Sequence, residues 1–483
     1  MDLLSSISLA TSFYLAIVIG VTLRILARKH ISSAARLAWF TVVVTLPAFG
    51  IVLYTLLGEV HISRKLRAKK ARLLRQMKKL EFDRLEGEPD PYRKVPQRYH
   101  AIFQYAQTIN RFPLSNGNRA ELLYDAEDTR KRIIADIDQA KDHVHLLYYI
   151  WLNDHTGTDI AHAVIRAAQR GVACRVMADA IGSRVLLKSD LWVEMQRAGV
   201  QTETAMPFES MIATHLLNRF DLRNHRKITV IDGKIAYCGS QNCADPEFRP
   251  KAKYAPWIDI MARLEGPVVN QTQLLFASDW MSRREESTLK DFPLNARPLK
   301  NGFVAQVNGN GPTERRGAAA HLFATLIASA DQEINITTPY FVPDIIVLNA
   351  LCAAAIRGVK INLIVPRIND SWVVAAASKS FYSEILAAGV RVHEYVGGLL
   401  HVKCLTIDGQ ITMIGSSNLD LRSFDLNYEN NTIIYDKKFT QQVNDRQDQY
   451  LKSAIEVQLQ EVRQWRLPTR IWHNVIGTLG PVL

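Results

Sequence analysis

The sequence predicts the α/β class: two tandem α/β sandwich domains forming a pseudo-twofold, bilobed body, preceded by an N-terminal two-helix transmembrane hairpin. Three observations predict this. One stretch occurs twice with identical internal spacing. It reads His225-Arg-Lys227-Ile-Thr-Val-Ile-Asp232-Gly233 leading to Gly239-Ser240-Gln-Asn242, and His401-Val-Lys403-Cys-Leu-Thr-Ile-Asp408-Gly409 leading to Gly415-Ser416-Ser-Asn418. A repeat of this kind implies two copies of one structural unit. Around each copy, apolar strand-like runs alternate with amphipathic helical patterns, as in layered α/β folds. Ahead of both lie two uncharged apolar stretches, each near the ~20 residues that span a bilayer core.

These apolar stretches are Leu3 to Leu23 and Leu37 to Leu57, the second with Trp39 and Tyr54 near its ends. A cleaved signal peptide would need a basic n-region and a small-residue cleavage site, which the first stretch lacks. Residues 1–58 therefore read as a retained transmembrane hairpin. Its connecting loop carries Arg24, Arg28, Lys29 and Arg36, and a denser basic run follows the second stretch. Positive-inside counting puts the rest of the chain on the cytoplasmic side of the membrane, as a multi-pass protein.

Residues 59–118 read as a basic juxtamembrane segment and connector. Nine Lys or Arg and no acid lie between His61 and Lys79, so only three of the twelve net positive charges belong to the remainder. The basic excess is local, and it does not mark the body as a nucleic-acid binder. Interleaved Leu66, Leu73, Leu74 and Met77 suggest an amphipathic helix on anionic headgroups; a solvated helix that clears the membrane is the plainer alternative. Residues 80–118 turn polar, with Gly-Glu-Pro-Asp-Pro at 87–91 and Ser-Asn-Gly-Asn at 115–118.

The repeat extends beyond the motif, giving domains at 119–295 and 296–462. Arg170-Gly171-Val172 matches Arg357-Gly358-Val359, and Ala198-Gly199-Val200 matches Ala388-Gly389-Val390. Each ends a helix and starts a strand, which predicts predominantly parallel sheets with helices on both faces. Within each motif His and Lys stand two apart, so an extended strand turns both to one face. Asp-Gly then makes a hairpin turn before a second apolar run. One asymmetry stands out: 26 residues separate Gly199 from His225, but 12 separate Gly389 from His401. The longer loop, with Met206, Phe208, Met211, Ile212, Leu216 and Phe220, suits lipid contact or a small local core equally well. Residues 463–483 mix Arg463, Trp465, Arg466, Arg470 and Trp472, and read as an interfacial segment, or as packing for the membrane hairpin. Five cysteines without paired spacing predict reduced thiols, and neither a disulfide framework nor a zinc site.

The doubled motif resembles that of the phospholipase D superfamily. With Thr337-Thr-Pro-Tyr340-Phe-Val-Pro343, Gly397-Gly-Leu-Leu-His401, Asn418-Leu-Asp-Leu-Arg422-Ser423 and Trp257-Ile-Asp259, nearly the whole chain is similar to the long, membrane-anchored bacterial cardiolipin synthases. The resemblance implies transfer of a phosphatidyl group from one phosphatidylglycerol to another, through a phosphohistidine, giving cardiolipin and glycerol. The catalytic candidates are then the motif residues His225, Lys227, Asp232, His401, Lys403 and Asp408, although the two aspartates sit in the turns and read as structural.

Residue types fit that chemistry. A phosphodiester is anionic, so its displacement needs charge neutralisation, a nucleophile and a proton for the leaving alkoxide. Lys227, Lys403, Asn242 and Asn418 suit its non-bridging oxygens, with Ser240 and Ser416 as further phosphate-binding candidates. One histidine attacks phosphorus and the other moves the proton. Their spacing does not distinguish them; the resemblance assigns attack to His225. It also places a histidine-orienting carboxylate downstream of each motif, pairing His225 with Asp259 and His401 with Glu429. No metal or other cofactor is required. The expected partners are phosphatidylglycerol and anionic membrane lipids, without nucleic acid. Phosphatidylethanolamine as donor, water as acceptor and a homo-oligomeric state stay open.

Overall fold

The strands of both repeats join one sheet. The computed structural model describes residues 3–29, 31–59, 68–73, 75–76, 89–207, 222–284 and 287–478. These form two units: the N-terminal helices to residue 59, and a body built from residues 68 onward.

In the N-terminal unit a helix spans Leu3–Ala27, and a second, Ser33–Thr45, starts at Ser32, whose Oγ accepts the Ala35 N–H. The uninterrupted apolar helix expected over residues 37–57 is broken. Leu46 leaves the helical region (φ −128°, ψ 67°), and a new helix runs Pro47–Leu53 before a wider turn at Tyr54–Gly58. Pro47 is the cause, since a proline disfavours helical geometry in the residue before it. Ile25, Val43 and Tyr54 pack together, and Glu59 accepts hydrogen bonds from Arg24 and Tyr54. Among the described residues no helix is long and apolar enough to cross a membrane.

In the body, sixteen described strands share one mixed sheet. From one edge the first repeat contributes Gln201–Ala205, Ala173–Asp179, His143–Tyr148, Ile228–Ile231, Ile235–Gly239, Met261–Glu265 and Ser115–Leu122. The second contributes the same order in reverse, from Phe303–Asn310 through Asn427–Tyr435 and the second motif hairpin to Arg391–Tyr395, with Ala454–Glu456 outermost. The seam is the antiparallel pairing of Ser115–Leu122 with Phe303–Asn310.

Two expectations are corrected here. The sheet is not predominantly parallel. The three outer strands that follow helices in each repeat run parallel, as does the short ladder of Arg223–Asn224 on Asn427–Tyr428, while the hairpin and seam strands otherwise pair antiparallel. The Asp-Gly turn forces this, because a two-residue connection can only join antiparallel neighbours. The connector also does not run to residue 118. Ser115–Asn118, read as turn composition, opens the seam strand with a register shift and Gly117 at φ +83°. The preceding helix His100–Asn110 packs Ile102, Phe103 and Ala106 into the core of the second repeat.

Helix ends fall where the sequence marks them, with Gly171 and Gly358 at φ +89° and +96° closing helices before a strand. One core lies under helices Val268–Arg283 and Lys437–Lys452 and draws residues from both repeats, including Leu147, Ile228, Leu400 and Ile414. The five cysteines are free thiols. The apolar loop at 208–221 lies outside the described residues.

Candidate active site

Each motif begins just before a strand and crosses the turn into the next. Asp232-Gly233 and Asp408-Gly409 all have positive φ, between +50° and +63°, as the hairpin turn requires. The aspartates do not reach the histidines' cleft. Asp232 accepts the backbone N–H groups of Lys141, Asp142 and His143, and Asp408 those of Asp331, Gln332 and Glu333 at 2.8–3.0 Å. They pin the hairpin to the start of the neighbouring strand, so they leave the catalytic candidate set and keep the structural reading.

The histidine-orienting pairs are exchanged relative to expectation. His225 Nδ1 lies 2.9 Å from Glu429 Oε2, and His401 Nδ1 lies 2.7 Å from Asp259 Oδ1. The topology explains it. Arg223-Asn224, before the first histidine, pairs in parallel with Asn427-Tyr428, and Leu399-Leu400, before the second, pairs with Trp257-Ile258. The His225 N–H donates to the Tyr428 carbonyl and the His401 N–H to the Ile258 carbonyl, at 2.9 and 2.7 Å. Each histidine is therefore carried beside the other repeat's carboxylate.

The Gly-Ser-x-Asn ends also differ from the phosphate-binding role expected for both serines. Ser240 Oγ donates to Asp259 at 2.5 Å, and Ser416 Oγ donates to Glu429, which also accepts from Ser423 Oγ at 2.9 Å. Both motif serines are fully buried. They fix the carboxylates and present no hydroxyl to the cleft. The glycines before them admit those strands: a Cβ at Gly239 would lie 2.2 Å from the Ile260 carbonyl oxygen, and at Gly415 2.3 Å from that of Asn430. The asparagines do line the cleft. Asn242 Nδ2 and Asn418 Oδ1 are buried there without a hydrogen-bond partner among the described residues.

His225, His401, Asn242 and Asn418 share one cleft of about 350 Å³. Tyr149 stands edge-on to the His225 ring at 4.9 Å, and Trp257 lies against His401 at 4.6 Å. Burial lowers both imidazoles to about 4, with Glu429 opposing the shift at His225, and Lys403 adding to it at His401. Burial works against ionised Asp259, yet His401, Lys403 and Ser240 hold it at about 2; Glu429 is likewise held low by His225 and Lys227. With both imidazoles depressed and both carboxylates held low, the Nδ1 contacts suit neutral rings that donate from Nδ1 to the carboxylates, the tautomer that leaves Nε2 for chemistry. Lys227 and Lys403 donate to the carbonyls of His225 and His401 at 2.8 and 2.5 Å. Burial pulls Lys227 down to about 8 and Lys403 well below its ordinary value, so both ammonium groups are poised to gain from an anionic ligand. At the cleft wall Asp370 joins the repeats, accepting from Lys251 at 2.6 Å and from the Tyr340 hydroxyl at 2.7 Å.

A supporting cluster escaped the sequence reading. Arg226, between the motif His and Lys, is fully buried and bonds Asp279 at 2.7 Å and the Glu429 carbonyl at 3.0 Å. Asp279 also accepts from Asn224 at 3.1 Å and Lys70 at 3.4 Å, and the Lys70 ammonium sits 3.9 Å above the Tyr428 ring. Lys70 and Leu73 are buried in the body, so that face of the basic segment does not lie on headgroups as expected. The remaining apolar positions named there, Leu66, Leu74 and Met77, lie outside the described residues. An arginine in a core-facing motif position was the available signal, since a buried cation requires a buried acid.

Comparison with known proteins gives the family. The family described as "Cardiolipin synthase, PLD-like domain" matches residues 133–280 and 323–451. Cardiolipin synthase A of Serratia proteamaculans (strain 568) is 36% identical, over 96% of this chain and 95% of its own length. Cardiolipin synthase A of Proteus mirabilis (strain HI4320) is 35% identical, over 98% and 97%. Among solved structures, phosphatidylserine synthase of Haemophilus influenzae Rd KW20 covers 80% of this chain and all of its own, with TM-score 0.58 and 15% identity, a likeness of fold.

Proposed function

The chain belongs to the cardiolipin synthase family of phospholipase D-like proteins, and we propose that it joins two phosphatidylglycerol molecules into cardiolipin, releasing glycerol. The observation that carries this reading is the pair of buried imidazoles, each held by a carboxylate and both opening on one cleft.

His225 Nε2 attacks phosphorus of the first phosphatidylglycerol while Glu429 stabilises the charge that develops on the ring. Lys227, Lys403, Asn242 and Asn418 hold the non-bridging oxygens. The bound phosphodiester raises the depressed His401 pKa, so His401 takes up a proton on binding. That proton passes from Nε2 to the glycerol oxygen as the P–O bond breaks and the P–N bond to His225 forms. After glycerol leaves, a hydroxyl of the second phosphatidylglycerol gives its proton to His401 and attacks phosphorus, and the P–N bond breaks. One phosphodiester replaces another, so no energy-rich co-substrate is needed.

The setting is the bacterial cytoplasmic membrane, with the body on the cytoplasmic side. Support comes from the two uncharged stretches and from outward apolar side chains of the N-terminal helices, among them Phe13, Leu15, Leu23, Leu37 and Phe49. Denaturing, alkaline quenching during turnover of phosphatidylglycerol labelled at phosphorus tests the mechanism. Label on a peptide containing His225 is expected, and label on His401 alone would reverse the two roles.

A further inference from the structure

The C-terminal helix Leu467–Thr478 is only partly covered. Ile476 is buried against Val342, Ala376 and Ala377, and Gly477 meets the helix Trp372–Ser380 so closely that a Cβ there would lie 2.5 Å from Ser380 Oγ. Beside Ile476 runs an apolar stripe at helical spacing, Leu467, Ile471, Trp472 and Val475, each 47–66% exposed. Trp472 stacks on Trp372 of the neighbouring helix at 5.8 Å and 14° between planes, and Trp372 is itself 64% exposed, with Ile368 at 62%. Soluble proteins rarely leave so many large side chains together in water.

Charge and position say what covers this face. From Arg463 to Thr478 there are three arginines and no acid, and Arg463, Arg466 and Arg470 are all exposed. In the neighbouring segment, residues 367–380 add Arg367 and Lys379, and their single acid, Asp370, is bonded to Lys251 and Tyr340. The same segment supplies Asp370, Ser371 and Val374 to the wall of the histidine cleft. Exposed tryptophans flanked by arginines are the composition of an interfacial surface on anionic lipid.

We propose that the Trp372–Trp472 face is a membrane platform, seated in the headgroup layer of an anionic phospholipid bilayer, through which lipid passes laterally to the cleft. It rests on the proposed use of phosphatidylglycerol. The platform matters only when substrate must be drawn from a bilayer, which gives its test. Full-length wild type, Trp472→Glu and Ile471→Glu are assayed on phosphatidylglycerol vesicles and on short-chain phosphatidylglycerol kept monomeric. Each variant should lose at least tenfold on vesicles and less than twofold on monomers, whose turnover also reports an intact fold. Equal losses on both substrates would show a structural role and overturn the platform. Unchanged rates on both would show that another part of the chain or a second copy covers this face, which also overturns it. If wild type makes no cardiolipin from either substrate, the reading of the cleft fails instead.

Discussion

Replacing Glu429 by glutamine isolates the exchange of carboxylates between repeats. The wild-type carboxylate is fully buried and accepts hydrogen bonds from His225 Nδ1, Ser416 and Ser423. Glutamine keeps its volume but removes the charge. Its amide can also donate to Nδ1, which moves the ring proton to Nε2, the atom that must attack. A wrong tautomer and an unpaired imidazolium in a catalytic triad cost a factor of about 10³–10⁴ in turnover, or about 4–5.5 kcal/mol of barrier. The informative assay uses a phosphatidyl ester of p-nitrophenol, whose leaving group departs without a proton. Of the two histidines Asp259→Asn disturbs only His401, so it should still release a burst of nitrophenol and accumulate the phosphatidyl-enzyme. Glu429→Gln should show neither. A burst in Glu429→Gln, absent from Asp259→Asn, would refute the crossed pairing.

Three further outcomes are expected. The Lys227 ammonium, depressed to about 8 by burial, is present below that pH and lost above it, so kcat/KM should fall as pH rises through about 8; an identical alkaline limb in the activity left to Lys227→Arg would exclude this lysine. Asp408→Ala removes the acceptor of three backbone N–H groups and should destabilise by about 2–4 kcal/mol, while turnover per folded molecule stays near wild type; a selective loss of turnover would return Asp408 to the chemistry. Asp279→Ala leaves Arg226 and Lys70 buried without their acid, which costs about 3–5 kcal/mol, and should lower the temperature of half-inactivation in detergent; an unchanged temperature would remove the cluster's supporting role.

The sequence carried much of this site because the repeat is internal evidence: two copies of one spacing mark the same local geometry twice. The hairpin turns and the helix-ending glycines follow from short-range patterns, and the family resemblance implied that His225, His401, Asn242 and Asn418 work together. What the sequence hid is long-range. The partner of His225 lies 204 residues away, because short parallel ladders carry each histidine across to the other repeat. Nearest-downstream logic selects the wrong carboxylate in both cases. The motif serines look like phosphate ligands until strand packing shows that Ser240 and Ser416 already serve the carboxylates. Lys70 reads as one basic residue among nine, and only its contact with Asp279 separates it from the rest. In the N-terminal unit, reading residues 37–57 by their length and lack of charge passed over Pro47, which divides the helix.

The most direct measurement is product analysis with the purified full chain and phosphatidylglycerol as its only lipid. Cardiolipin and glycerol in equal amounts, lost together in His225→Ala and in His401→Ala, are the expected result. Phosphatidic acid with glycerol and no cardiolipin would make water the acceptor and contradict the transferase.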